Sequence, residues 1–241
     1  MLPRLREAVA DFSLLLTKGY ADKSALKLVG DRFSLTQRQR LAVMRSSCSD
    51  QQRRSRLARR VPVEALSGQP IAIDGYNLLI TIEAAMSGGL IFQGRDGCFR
   101  DLASIHGTYR KVEETIPAVK LIGDFLTEIR AGPTLWLLDS PVSNSGRLKT
   151  LLAQIAREND WPWEVRLTIS PDAELSSQWT VPSSQFSANC QLTTVNRQLT
   201  AVVVSTDSVI LDACQKWTNL AAAIITRGLP SATVIETGPS V

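Results

Sequence analysis

Between Arg4 and Arg60 the apolar positions recur at three- and four-residue steps, whereas beyond Pro70 they gather into short unbroken runs. The first pattern belongs to amphipathic helices and the second to buried strands. Leu5, Val9, Phe12, Leu15 and Leu16 make one apolar stripe. A second helix over residues 23–29 offers Ala25, Leu26, Leu28 and Val29 for burial and is expected to break at Gly30-Asp31. Thr36 suits the N-cap of a third helix over 37–45, with Leu41 and Val43 available to a core. Ser49 or Asp50 suits the N-cap of a fourth over 51–60.

Val61-Pro62-Val63 and Ser67-Gly68-Gln69-Pro70 then mark a boundary. Beyond it, apolar runs at 71–73, 134–138, 165–169 and 201–205, with a late one at 232–235, alternate with helix-like stretches at 102–109, 119–130, 145–157 and 208–217. Strands alternating with helices predict an α/β domain over 68–241 built on a mostly parallel central sheet. A small all-α domain over 1–62 precedes it. The stretch 172–196, rich in Ser, Gln, Thr and Asn, is expected to be a loop or flap.

Composition narrows the chemistry. No apolar run reaches the roughly 18 residues of a membrane helix, and the start carries Glu7 and Asp11 where a secretory signal would be apolar. A cytoplasmic protein without membrane partners is expected. Cys48, Cys98, Cys190 and Cys214 lie too far apart for a zinc ribbon or finger. His106 is the only histidine, so any metal has to be held by carboxylates, which selects Mg²⁺ or Mn²⁺. The net charge of +4 is uneven: residues 1–70 carry 14 Lys and Arg against 6 Asp and Glu, while residues 71–241 carry 13 against 17. Arg38, Arg40, Arg45, Arg53, Arg54, Arg56, Arg59 and Arg60 are therefore candidates for phosphate contacts. An arginine-rich helix can equally present nothing more than a solvated face.

Three of the apolar runs end in an aspartate: Asp74 after 71–73, Asp139 after 135–138 and Asp207 after 202–206. In an open parallel sheet, ligands bind beyond the carboxyl ends of the strands, so the three are expected to converge on one crevice. Carboxylates gathered there repel one another unless a divalent cation lies between them. Taken singly, each is an ordinary cap or turn residue. Asn77 is placed to orient the carboxylate or a bound water, and Glu83, nine residues past Asp74, is a candidate fourth ligand. Asp101 competes with it, or caps a helix from Leu102. Asp172 either joins the site or caps a short helix. The turn 139–147 offers backbone N–H groups, Ser143, Ser145 and Arg147 to a phosphate, or is a plain turn capped by Ser145. His106 is either a supporting residue or a structural one. Phosphate-loop, dinucleotide and serine-hydrolase motifs are absent from the sequence.

Asp74-Gly75-Tyr76-Asn77-Leu78-Leu79 resembles the first-strand motif of NYN nucleases, a branch of the PIN-like superfamily, and Ser205-Thr206-Asp207-Ser208 resembles that superfamily's later strand-end aspartate. The whole chain resembles a bacterial and archaeal family of domains of unknown function that pairs a basic helical N-terminal part with a PIN-like C-terminal domain. That match runs through Lys18-Gly19-Tyr20, residues 25–32 and 35–40, Arg100-Asp101, His106-Gly107 and residues 139–146. The resemblance implies a PIN-like three-layer fold and an acidic metal site at Asp74, Asp139 and Asp207, with Glu83 as leading helper. Glu83, Asp96 and Asp101 compete for the helix-borne acid of that superfamily.

The function expected is hydrolysis of phosphodiester bonds at a carboxylate-held Mg²⁺ or Mn²⁺, with nucleic acid as partner and RNA ahead of DNA. Two alternatives stand beside it: a non-catalytic nucleic-acid-binding or regulatory protein, and a small-molecule phosphohydrolase. A homodimer is compatible with all three.

Overall fold

The computed structural model describes residues 2–103, 113–177, 180–181 and 199–238. Its first four elements are helices: α1 (Leu2–Thr17), α2 (Asp22–Arg32), α3 (Gln37–Ser46) and α4 (Asp50–Arg59). Both expected caps form complete capping boxes, Thr36 with Gln39 and Ser49 with Gln52. The expected break at Gly30 does not occur, because α2 runs on to Arg32. A Cβ on Gly30 would lie 2.1 Å from Arg40 Nη1, so this glycine makes room for a neighbouring helix rather than a turn. Leu5, Ala8, Val9, Phe12, Ala25, Val29, Leu35, Ala42 and Val43 form the core of the helical part, and Phe92 from beyond the boundary joins them.

The α/β part follows in the order β1 (Ile71–Asp74), α5 (Gly75–Met86), β2 (Ile91–Gln93), β3 (Phe99–Arg100), α6 (Thr115–Glu128), β4 (Thr134–Asp139) and α7 (Ser145–Glu158). Then come β5 (Trp163–Thr168), α8 (Pro171–Ser176), β6 (Thr180–Val181), β7 (Leu199–Thr200), β8 (Val202–Val204), α9 (Ser208–Ala213), β9 (Trp217–Thr218), α10 (Leu220–Gly228) and β10 (Val234–Glu236). The main sheet has the order β5-β4-β1-β8-β9 and every pairing in it is parallel. A smaller sheet joins β10, β2 and β3, which places the expected late strand outside the main sheet.

Alternation along the central strands feeds two cores. Ile71, Ile73, Trp136, Leu138, Val202 and Val204 pack with residues of α5, α6, α7 and α10. Ala72, Leu135, Leu137 and Val203 face the other way, onto Leu175, Ile210, Leu211 and Trp217. The helix expected over 208–217 stops at Ala213, and Trp217 becomes the edge strand. Helix α5 begins directly after β1. A Cβ on Gly75 would meet Leu138 Cδ2 at 2.5 Å and the Leu137 carbonyl oxygen at 2.9 Å, so only glycine lets the chain turn that closely against β4. The helix-like stretch 102–109 falls almost wholly outside the described residues. No helix among the described residues is long and apolar enough to cross a membrane.

The boundary is stitched rather than loose. Val61 N–H donates to the Trp217 carbonyl at 2.7 Å, so the chain leaving α4 pairs with the edge strand.

Candidate active site

Asp74, Asp139 and Asp207 all line one cavity of about 490 Å³. Its other walls come from both parts of the chain: Phe12, Leu16, Met44, Arg45 and Arg56 from the helices, and Ile80, Arg100, Asp101 and Thr206 from the α/β part. The placement follows from topology, since β1 and β8 are neighbours in the sheet and their carboxyl ends, with that of β4, meet at one edge.

Asp74 is 7% exposed and accepts a hydrogen bond from the Ser205 hydroxyl at 2.8 Å. The same hydroxyl accepts from the Asp207 N–H at 3.0 Å, so one serine ties two of the acids together. Asn77 Oδ1 accepts from both Thr206 N–H, at 2.9 Å, and the Thr206 hydroxyl, at 3.0 Å. Asn77 thus fixes the loop between β8 and α9 rather than touching a carboxylate with its side chain. Asp207 is the N-cap of α9, with Oδ1 accepting from the Val209 N–H at 2.7 Å.

Burial pushes Asp74 up to about 7, and the charges of Asp172 and Asp207 add to it, against the opposing effects of the Ser205 bond and the Asn77 amide. Asp139 is raised by partial burial and then by Asp172; Asp172 is raised by partial burial and then by Asp207. Four aspartates therefore press on one another electrostatically. Among the described residues none of the four is in an ion pair.

Asp172 is the acid that sequence reasoning left undecided. It lies on α8, whose cap is Ser170, and its charge bears on both Asp74 and Asp139. The signal available was Ser170-Pro171-Asp172 directly after an apolar run, a fourth strand-end acid.

Glu83 is not a fourth ligand in this arrangement. It is 7% exposed and accepts a hydrogen bond from the Thr115 hydroxyl of α6 at 2.6 Å. Nine helical residues past Asp74 amount to about two and a half turns, which carries Glu83 to the opposite face of α5. Asp96, the second contender, is bound to Arg56 and Arg100. Asp101, the third, stays on the cavity wall, where it accepts from the Thr81 hydroxyl at 2.9 Å and the Ala103 N–H at 2.6 Å.

The turn after β4 does not present Ser145 as a phosphate donor or as the cap. Its hydroxyl donates to the Ser140 carbonyl at 3.3 Å, and Asn144, with φ of 71°, occupies the N-cap position. Ser143 and Arg147 are exposed and are not wall residues of the cavity. His106 lies outside the described residues. Cys48, Cys98 and Cys214 are buried free thiols.

The candidate phosphate-binding arginines divide into two groups. Arg38, Arg54 and Arg60 are exposed and Arg53 is half-buried. Arg60 lies over the Trp217 ring at 5.9 Å. The rest are engaged inside the molecule, contrary to expectation. Arg40 binds Asp31 at 2.7 Å and two carbonyls; Arg45 donates to the Asp101 carbonyl at 2.7 Å. Arg56 is 1% exposed and bound to Asp96 and Asp212, while Arg59 donates to the carbonyls of Leu211, Asp212 and Cys214. The arrangement is one of polar matching: α4 carries arginines where α9 and the β2–β3 hairpin present acids and open carbonyls.

Among the described residues no three His, Cys, Asp or Glu side chains are gathered tightly enough to hold a metal ion as they stand. The donor set nevertheless suits Mg²⁺ or Mn²⁺, which take oxygen ligands, need only one or two carboxylates directly and fill their shell with water and phosphate oxygens. A cluster of mutually repelling, unpaired carboxylates is the electrostatic condition a cation relieves.

Residues 4–59 match the family described as a protein of unknown function (DUF434), and residues 63–223 match the family described as a domain of unknown function (DUF5616). An uncharacterized protein of Methanocaldococcus jannaschii is 28% identical over 180 residues, which cover 75% of this chain and 86% of that relative. No solved structure matches the chain. With its α/β part matched over more than half of the sequence and the helical part matched ahead of it, the chain belongs to the DUF5616 family.

Proposed function

We propose that this protein is a Mg²⁺- or Mn²⁺-dependent phosphodiester hydrolase, a nuclease of PIN-like type acting on single-stranded RNA. One observation carries the reading: Asp74, Asp139 and Asp207 line a single cavity at the carboxyl edge of a parallel sheet, and among the described residues none of them is in an ion pair. The ion would be held by Asp74 with Asp139, Asp172 or Asp207. When bound, it polarises a phosphoryl oxygen and lowers the pKa of a coordinated water. The Ser205 hydroxyl holds Asp74 and the Asp207 backbone in register, and Asn77 keeps the loop between them from shifting. Arg45, half-buried on the same wall, supplies positive potential to a phosphate group.

The cavity also has an apolar side, formed by Phe12, Leu16, Met44 and Ile80. Met44 is 45% exposed there, a surface suited to a nucleobase or ribose. A volume of about 490 Å³ is that of a small-molecule site, a size suited to one nucleotide of a single strand. That size, together with the internal use of Arg40, Arg56 and Arg59, also favours a second reading, hydrolysis of a small phosphate ester in the same pocket.

The test measures Mn²⁺ binding by calorimetry, then cleavage of RNA, single-stranded DNA and small phosphodiesters by the wild type and Asp74→Asn. The nuclease reading expects Mn²⁺ binding and RNA cleavage that both disappear in Asp74→Asn. Turnover of small esters alone selects the second reading. Cleavage that survives Asp74→Asn removes Asp74 from the site.

A further inference from the structure

The geometry points to α4 of the helical part as a clamp that sets the position of Asp207, with Arg56 as its positioning residue. Gln52, Arg56 and Arg59 are spaced four and three residues apart and so lie on one face of α4. All three reach α9, the helix that Asp207 caps. Gln52 Nε2 donates to Asp212 Oδ2 at 2.8 Å; Arg56 Nε donates to Asp212 Oδ1 at 2.7 Å and its Nη2 to Asp212 Oδ2 at 2.9 Å. Arg59 donates to the carbonyls at the far end of α9. A forked arginine–carboxylate pair fixes orientation as well as distance.

A second arm of the clamp grips the loop in front of α9. Arg56 Nη1 donates to Asp96 at 2.6 Å, and Asp96 accepts from Arg100 at 2.7 and 2.9 Å. Arg100 Nε in turn donates to the Thr206 carbonyl at 2.8 Å. Residues 206–212 are thereby held by α4 directly and, through Asp96 and Arg100, from the neighbouring hairpin. The four charges balance, and Arg56, Asp96 and Arg100 are buried. Loops that carry functional groups are ordinarily the low-stability parts of a fold, and this one is fastened by a buried ionic network instead. The helical part is therefore built into the acidic rim as a structural half of it, whatever its exposed arginines bind.

The consequence for metal affinity rests on the proposed metal centre; the clamp itself does not. The experiment uses the full chain with Arg56→Lys, with Asp212→Asn as a milder change at a half-exposed carboxylate, and with Arg54→Ala as an exposed control on the same helix. Hydrogen exchange at the Thr206 and Asp207 amides is read against that at Ile73 and Leu137 in the sheet, alongside Mn²⁺ affinity. The expected result is exchange at least about tenfold faster at Thr206 and Asp207 in both clamp variants, with the sheet amides and Arg54→Ala at wild-type rates, and Mn²⁺ affinity about tenfold weaker. Wild-type exchange at Thr206 and Asp207 in a folded Asp212→Asn overturns the clamp. Faster exchange with unchanged Mn²⁺ affinity overturns the claim that the clamp sets the carboxylate. Faster exchange in a protein whose wild type binds no Mn²⁺ upholds the clamp and removes the metal reading. If Arg56→Lys does not fold, the Asp212→Asn comparison decides alone.

Discussion

Asp96 bears on the cavity only through Arg56 and Arg100, which line it, whereas Asp74, Asp139 and Asp207 line it themselves. Asp96 sits between Arg56 and Arg100, and although burial alone would raise it, the two guanidiniums hold it well below the usual carboxylate range. Asp74, on the cavity wall, is also buried but faces Asp172 and Asp207, and is pushed up to about 7. The protein can neutralise buried carboxylates with arginine, and does so next door. Among the described residues Asp74, Asp139, Asp172 and Asp207 have no such partner, and that difference is what the proposed metal centre rests on. An unpaired cluster is a standing cost to the fold that a ligand can relieve, whereas a paired one is part of the fold.

The largest test of that difference is Asp74→Asn. Mn²⁺-dependent cleavage should fall by about 1000-fold or more, equivalent to roughly 4 kcal/mol in the barrier. The same variant should make the metal-free protein more stable at pH 8, because it removes an ionised carboxylate from a buried site. Thermal melts of both forms in chelator read the second effect, and a lower melting temperature for Asp74→Asn would place Asp74 among the structural acids.

Asp96→Asn should do the opposite. It strips a balancing charge from Arg56 and Arg100, both buried, and should cost about 3 kcal/mol or more of unfolding free energy. Urea titration at neutral pH measures it. A loss under about 1 kcal/mol, the size of a surface pair, would mean the network is not the fastening described.

The difference between the two groups was only partly visible along the chain. Apolar runs ending in aspartate gave the sheet edge away, since parallel strands buried on both faces read as continuous hydrophobic stretches. Asp74, Asp139 and Asp207 were legible for that reason. Glu83 was chosen for its nine-residue distance from Asp74 alone, whereas the chain is helical from Gly75 and turns the residue to α6. Helix α5 itself was hidden because residues 75–86 are apolar on nearly all sides, and an all-round apolar helix has no stripe to detect. The arginines of α4 could not be sorted from sequence at all. Arg54 and Arg56 are two residues apart, yet one is exposed and the other 1% exposed, and only the partners Asp96 and Asp212, distant in the chain, decide which.

Proton linkage sharpens the comparison at smaller magnitude. Asp74 has a folded value near 7 against an ordinary 3.8, so between those limits the folded state binds the extra proton. Its contribution to stability is full below about pH 4, declines as pH rises toward 7, and is absent above. Asp96, held low, contributes with the reverse sign: its stabilisation is present above its ordinary value and is lost only as pH falls through its depressed one. Metal-free protein should therefore lose stability between pH 5 and 8, by on the order of 3 kcal/mol, and Asp74→Asn should flatten that slope. Mn²⁺ affinity should rise about tenfold from pH 6 to pH 8, because a cation competes with the proton on Asp74. Affinity that is flat over this window would detach Asp74 from the metal.

The smallest effect belongs to the exposed arginines, where the two regions of the chain are most easily confused. Arg38 and Arg54 have open guanidiniums, whereas Arg56 and Arg59 do not. If the helical part also grips a nucleic-acid backbone, only the open ones can exchange counterions for phosphate. Arg38→Ala and Arg54→Ala should each weaken binding of a single-stranded RNA about two- to threefold at 0.1 M salt and reduce the slope of log affinity against log salt by a little under one. Neither should change the melting temperature by more than a degree or so, since exposed substitutions usually lie within about 0.5 kcal/mol. Fluorescence anisotropy across a salt series measures both quantities. An unchanged slope in the double variant would make these arginines a solvated face and leave α4 with its inward-facing role alone.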